Sequence, residues 1–229
     1  MNKLFILIII VALGSMLYPL VSSFDGNSEL SSLAQFYAQP DNISKVNSPN
    51  LVTAIVVTYR GLDTMGEVTI LFLTAAIIAF FLKKGGTTRT LRLNSEIFKT
   101  SAKLLVPIIV MLGVYIFING HLSPGGGFQG GAVIASAVIL MLLASPNTKL
   151  KHNFFEALES TSGLVFVGLA ALGALLGLGY LDNAILPLGE FGKLFSAGAI
   201  PVIYSFVGLK VGAELSNILN KFQSVQSDK

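Results

Sequence analysis

Gly120-His121-Leu122-Ser123-Pro124-Gly125-Gly126-Gly127-Phe128-Gln129-Gly130-Gly131 sets six glycines, a proline and a histidine between two strongly apolar stretches, Leu104–Ile118 and Gly131–Ala144. The glycine density invites comparison with a phosphate-binding loop, but the neighbouring residues argue against one. A Walker A loop needs Gly-Lys-[Ser/Thr], so that a lysine reaches the terminal phosphates. Here the glycines run into Ala132-Val133-Ile134. A dinucleotide fingerprint needs a preceding strand inside a βαβ unit, whereas apolar segments of helical length stand on both sides. Two readings remain open. Gly126/Gly130 and Gly127/Gly131 have the four-residue spacing that lets helices approach closely, and Pro124 ends or kinks a helix. Pro124, Gly125, Gly126, Gly127, Phe128, Gly130 and Gly131 would then form a tight turn and a packing surface. Alternatively the stretch is a broken helix beside a hydrated path, with His121 near it, since irregular backbone at membrane depth must be buried in protein or face water.

Composition supplies the setting. The 229 residues are 53% hydrophobic and 12% charged, with mean hydropathy +0.75. A soluble domain carries about 25% charged residues, so this chain is expected to be an all-α integral membrane protein in the cell membrane. There is no cysteine, and the only histidines are His121 and His152. Thiolate chemistry, iron–sulfur ligation and a cysteine zinc site are excluded, and no metal or cofactor is expected. The basic residues collect in linkers between apolar segments, a pattern of topology rather than of a nucleic-acid surface.

Six spans can be read: Leu4–Ser22, Met65–Leu82, Leu104–Ile118, Gly131–Ala144, Ser162–Leu181 and Leu194–Ala213. The linker 83–103 holds Lys83, Lys84, Arg89, Arg92, Lys99 and Lys103 against the single acid Glu96. Such an excess marks a cytoplasmic loop. Both termini then lie in the cytoplasm, and the glycine-rich stretch lies outside with Lys45, Arg60 and Lys193. His121 and His152 fall on opposite sides, so they cannot share a haem. The first span has some features of a signal peptide, ending in Val21-Ser22-Ser23, but its apolar run is long for one. It is read as a retained span. A module boundary is expected near Gly85-Gly86-Thr87-Thr88, dividing a two-span module, 1–85, from a four-span domain, 86–229.

A second informative segment runs from Asn50 to Glu67. It is an apolar run ending in charges and too short to cross a bilayer, which points to an interfacial or re-entrant element. Thr64-x-x-Glu67 matches a capping box at the start of the second span, and an acid in a first helical turn suits the helix dipole. The competing reading is functional. Glu67, with Asp63 and Arg60 close by, would sit near the outer interface and exchange protons or attract cations.

These two segments carry a family resemblance. The glycine-rich stretch closely resembles the Gly-His-x-x-Pro-Gly-Gly-Gly-Phe-x-Gly-Gly signature of the MnhB family, over about residues 91–229. That family includes the MnhB subunits of Mrp-type multisubunit sodium/proton antiporters and their counterparts in membrane-bound hydrogenases. Tyr59-Arg60-Gly61-Leu62-Asp63-Thr64-Met65-Gly66-Glu67 is similar to an Arg-Gly-x-Asp-Thr-x-Gly-Glu segment of a small Mrp-type element, over about residues 1–85. In antiporters that element is the C-terminal part of the large MrpA subunit. In hydrogenase and sulfur-reducing relatives it is a separate small subunit. Its fusion here to an MnhB-like domain departs from the ordinary antiporter and tilts the reading toward a respiratory or hydrogenase-type complex.

The resemblance implies a non-catalytic subunit of a cation/proton-translocating complex. Its partners would be the other subunits of an Mrp-type or membrane-bound hydrogenase-type assembly, and Na+ and H+ would be the transported ions. The ion-pathway candidates are Glu67, Asp63, Arg60 and His121. A redox-driven oxidoreductase complex is compatible with this, although no catalytic constellation is present in the chain. A scaffold without its own ion path is the alternative. A self-sufficient transporter is disfavoured, because inverted repeats are not visible. With the last span at Leu194–Ala213, Lys210 and Glu214 lie near its cytoplasmic end. They are read as an anchor, with lysine snorkelling, rather than as a proton relay. Gly173/Gly177 and Gly208/Gly212 are expected at helix contacts.

Overall fold

Regular structure in this protein is helical throughout the described residues, which in the computed structural model are 3–22, 29–82, 94–146, 148 and 150–227. The boundary expected at Gly85-Gly86, with Lys83, Lys84, Arg89 and Arg92, lies outside them. The chain forms two compact units, Met1–Tyr37 and Ala38–Lys229.

The first unit holds α1 (Lys3–Ser22) and α2 (Ser32–Tyr37). α1 is apolar on all sides and exposes Leu4, Phe5, Leu7, Ile8 and others around its whole circumference, the surface of a helix meant for lipid or for another helix.

The second unit opens with α3 (Pro40–Val46). Pro40 occupies the first helical turn, where its missing N–H costs nothing, and Asn47 ends the helix in the left-handed region at φ 50°. α4 (Leu51–Ala54) is capped by Asn50, whose Oδ1 accepts from the Thr53 amide at 3.3 Å. A π-helical turn, Ile55–Tyr59, leads through the single turn residue Arg60 into α5 (Gly61–Leu82). This corrects the expected capping box. The chain reaches Thr64 already helical, so no orphan amides await a cap there. Thr64 Oγ1 instead donates backwards to the Val56 carbonyl at 2.8 Å, satisfying a group that the wide π turn frees.

Four long helices complete the unit: α6 (Glu96–Ile118), α7 (Gly127–Ala144), α8 (His152–Leu175) and α9 (Ile200–Ser227). With α1 and α5 they make six helices long and apolar enough to cross a membrane. Several boundaries differ from the hydropathy reading. Ser95 caps α6 through the Phe98 amide at 3.3 Å, so this helix starts eight residues before Leu104. Gly127, Gly130 and Gly131 of the glycine-rich stretch already belong to α7, in its opening turns. Gly177, at φ 70°, stops α8 before Leu181, which makes it a helix terminator and not a packing glycine. α9 begins only at Ile200, with Pro201 next, and extends past Ala213 to Ser227.

α9 is the central helix, packing against α5, α6, α7 and α8. Ile203, Val207 and Val211 on α9 join Phe166 and Ala170 of α8 and Val57 of the π turn in one apolar cluster.

Candidate functional site

The glycine-rich stretch and the 48–53 segment, far apart in sequence, form a single interlock. Asn50 Nδ2 donates to the carbonyls of Gly120 (2.8 Å) and Ser123 (2.9 Å). Its backbone amide donates to the His121 carbonyl at 3.0 Å. Ser48 Oγ reaches the same His121 carbonyl at 2.9 Å, and Thr53 Oγ1 reaches Gly120 at 2.6 Å. One asparagine thus caps α4 and also satisfies two carbonyls of a loop that has no helix to bond to. The loop 176–199 closes the other side. Asn47 Nδ2 donates to Leu188 and Gly189, Asn183 Nδ2 donates to Val46 at 3.2 Å, and the buried Leu181 fills the space a Cβ on Gly61 would need.

The glycines are spent on close approach. A Cβ on Gly130 would lie 2.6 Å from the Gly113 carbonyl of α6, and one on Gly131 would lie 2.7 Å from the Gly208 carbonyl of α9. Gly127 meets Val207 and Tyr204, and Gly208 meets Phe117. Within the stretch, Gly125 alone needs glycine for its conformation, at φ 150°. Phe128 packs against the apolar cluster.

Of the four charged or titratable candidates, the structure joins two directly. Arg60 and Asp63 form an exposed ion pair at 2.5 Å, with side chains 65% and 56% accessible. Glu67 is exposed one turn further along α5. His121 stands apart. Its ring is fully buried, with Nε2 3.4 Å from the Lys193 carbonyl and Nδ1 without a partner. Burial pushes the imidazole below its ordinary pKa, against smaller opposing effects of the Lys193, Leu194 and Ile118 backbone.

A second polar region lies further along α9, where the sequence suggested only an anchor. Lys210 and Glu214 were expected to sit near a span end. The actual start of α9 at Ile200 moves them to the middle of that helix, and both are buried. Lys210 Nζ is 3.2 Å from Glu214 Oε2 and lies over the Phe72 ring of α5, 5.2 Å from its centre. Glu214 Oε1 has no partner. Beside it a cavity of about 310 Å³ separates α5, α8 and α9, lined by Glu156, Glu159, Ser160, Glu214, Asn217 and Lys221. The available signal was spacing: Glu156, Glu159 and Ser160 recur at the helical period along one side of α8. The extended reach of α9 was needed to bring Glu214 opposite them.

These observations define a multi-pass helical membrane protein with a tied polar cap at one end and a buried ion pair midway along α9. Residues 97–217 match the family model described as a domain related to the MnhB subunit of Na+/H+ antiporter, and the chain belongs to that family. An uncharacterized protein of Methanocaldococcus jannaschii is 32% identical over 226 residues, covering 83% of this chain and 85% of the relative. A Staphylococcus aureus protein named as putative antiporter subunit mnhB2 is 41% identical over 102 residues, 44% of this chain and 64% of its own length. Among solved structures, a chain of the membrane-bound sulfane sulfur reductase, an archaeal respiratory membrane complex, is similar with a TM-score of 0.81 and 37% identity. That match covers 96% of this chain and 97% of the other. A chain of the Mrp complex from Dietzia sp. DQ12-45-1b shares the fold at a TM-score of 0.73 and 20% identity; this chain spans 27% of it.

Proposed function

We propose that this chain is a non-catalytic subunit of an Mrp-type cation/proton-translocating module built into a respiratory or hydrogenase-type complex of the cell membrane. The observation that carries this reading is end-to-end similarity to a chain of an archaeal respiratory complex, with both chains covered almost completely. The mnhB2 relative, by contrast, matches only 44% of this chain. The hydrogen bonds from Ser48, Asn50 and Thr53 to Gly120, His121 and Ser123 support a fusion of two elements that function as one piece. In this reading 1–85 and 86–229 are the two ancestral modules, Na+ and H+ are the ions moved, and Arg60, Asp63 and Glu67 line the approach at the cap end.

The test is removal of the chain from its native membrane complex. Loss of sodium-coupled proton movement, with redox or antiporter subunits co-purifying only when the chain is present, is expected. Undiminished ion exchange in its absence would sink the proposal. A scaffold role is favoured by one observation, that Gly127, Gly130 and Gly131 are used for packing. Glu67→Gln separates the two readings. It lowers ion coupling in an intact assembly if Glu67 serves the path, and changes nothing if the chain only holds its neighbours.

A further inference from the structure

The buried ion pair of α9 is unlike the exposed one on α5, because one of its oxygens is left over. Glu214 is fully enclosed, with Oε2 committed to Lys210 and Oε1 partnerless. In apolar surroundings an unsatisfied carboxylate oxygen is costly, and charges inside membrane segments that persist usually serve ions or protons. Glu214 also lines the 310 Å³ cavity, together with exposed Glu156 and half-buried Glu159. The cavity has room for several waters.

Other charges near α9 leave Glu214 as the group in question. α5 presents Phe72 and has no charged residue from Val68 to Leu82, and α7 has none at all. α8 contributes Glu156 and Glu159, the latter acting electrostatically on Glu214. α9 adds Lys210 and Lys221. The charges of α6, Glu96, Lys99 and Lys103, fall in its first turns, and the two lysines line a separate cavity of about 240 Å³ against α7. Oε1 of Glu214 is a lone carboxylate oxygen without a hydrogen-bond donor, a group that a single added proton neutralises.

We propose that Glu214 is a proton-exchange site loaded from this cavity. A hydronium at the cavity end gives its proton to Oε1, leaving water behind and converting the carboxylate to a neutral acid. Lys210 keeps its three protons and loses its counter-charge, and its ammonium remains over the Phe72 ring. Loss of the proton restores the pair. The titration is a property of this chain. Only its coupling to cation movement rests on the function proposed above.

The test uses the assembled complex. A hydrophobic carbodiimide adds only to protonated carboxyls, so mass mapping of modified peptides reads the charge of Glu214 in the native protein without a variant. Modification of Glu214 that rises as pH falls, and a displaced pH profile of cation/proton exchange in Glu214→Gln but not in Glu190→Gln, is the expected result. Glu214→Asp should recover part of the native profile. Absent or pH-independent modification of Glu214 overturns the proposal. A native complex that moves no cations would overturn the proposed function instead, while Glu214 modification stays measurable.

Discussion

Because the His121 ring is enclosed beneath the loop 176–199, with only a weak contact to the Lys193 carbonyl, its surroundings oppose a positive charge. Burial places its pKa below the ordinary 6.5. As pH falls, the unfolded chain therefore takes up this proton before the folded one does. The contribution is fully present above about 6.5 and is lost as pH drops toward the lower folded value. The unfolding temperature in detergent should fall between about pH 7 and pH 5, and His121→Phe should flatten that slope. An equal slope in the variant would remove His121 as the cause. This histidine could be singled out from sequence because it stood within a run of glycines. Its enclosure could not, since that comes from Lys193 and Leu194, which belong to a distant loop with no pattern of its own.

At the scale of helices, the cost of a side chain depends on what lies opposite. Gly130 faces the Gly113 carbonyl and Phe117, with no flexible side-chain end to give way. Gly130→Val should therefore destabilise the protein by about 1–3 kcal/mol, lowering the melting temperature by several degrees. Gly66 sits inside α5 with nothing within 4 Å. Gly66→Ala should stabilise by roughly 0.5–1 kcal/mol, because alanine loses less backbone entropy in a helix. Equal effects at the two positions would contradict the packing described for α6, α7 and α9. Four-residue glycine spacing made this surface legible in the sequence. The same spacing misled at Gly173/Gly177, where Gly177 instead turns the chain at φ 70°. Spacing records that small residues face one way, and it does not separate a helix contact from a helix end. The position of the last helix was obscured for a related reason. Leu194–Ala199 is apolar enough to read as the start of a span, but Gly198 at φ 59° and Ala197 at φ 64° keep it out of the helix. That offset turned the buried pair of Lys210 and Glu214 into an apparent surface anchor.

For the whole molecule, the direction in which it threads the bilayer is expected from charge. The linker 83–103 carries six basic residues against one acid, while the opposite end of the helices offers Lys45, Arg60 and Lys193. Lysine and arginine bias toward the cytoplasm because their translocation is disfavoured. The cap formed by 46–61, 119–126 and 176–199 would then face outward, and the Glu214 cavity inward. The chain has no cysteine, so single cysteines report without background. Thr87→Cys should react with a membrane-impermeant maleimide only in inverted vesicles, and Glu190→Cys only in intact cells. Glu190 is exposed in the cap loop, so its failure to label would reflect sidedness rather than burial. The reverse labelling pattern would place the polar cavity on the outside, and protons would then have to load Glu214 from the opposite compartment. The two halves of this bundle are chemically distinct: one is tied by side-chain hydrogen bonds to loop carbonyls, and the other holds a titratable pair beside a cavity. Sidedness therefore decides which compartment supplies the proton, and this labelling measures it without requiring transport.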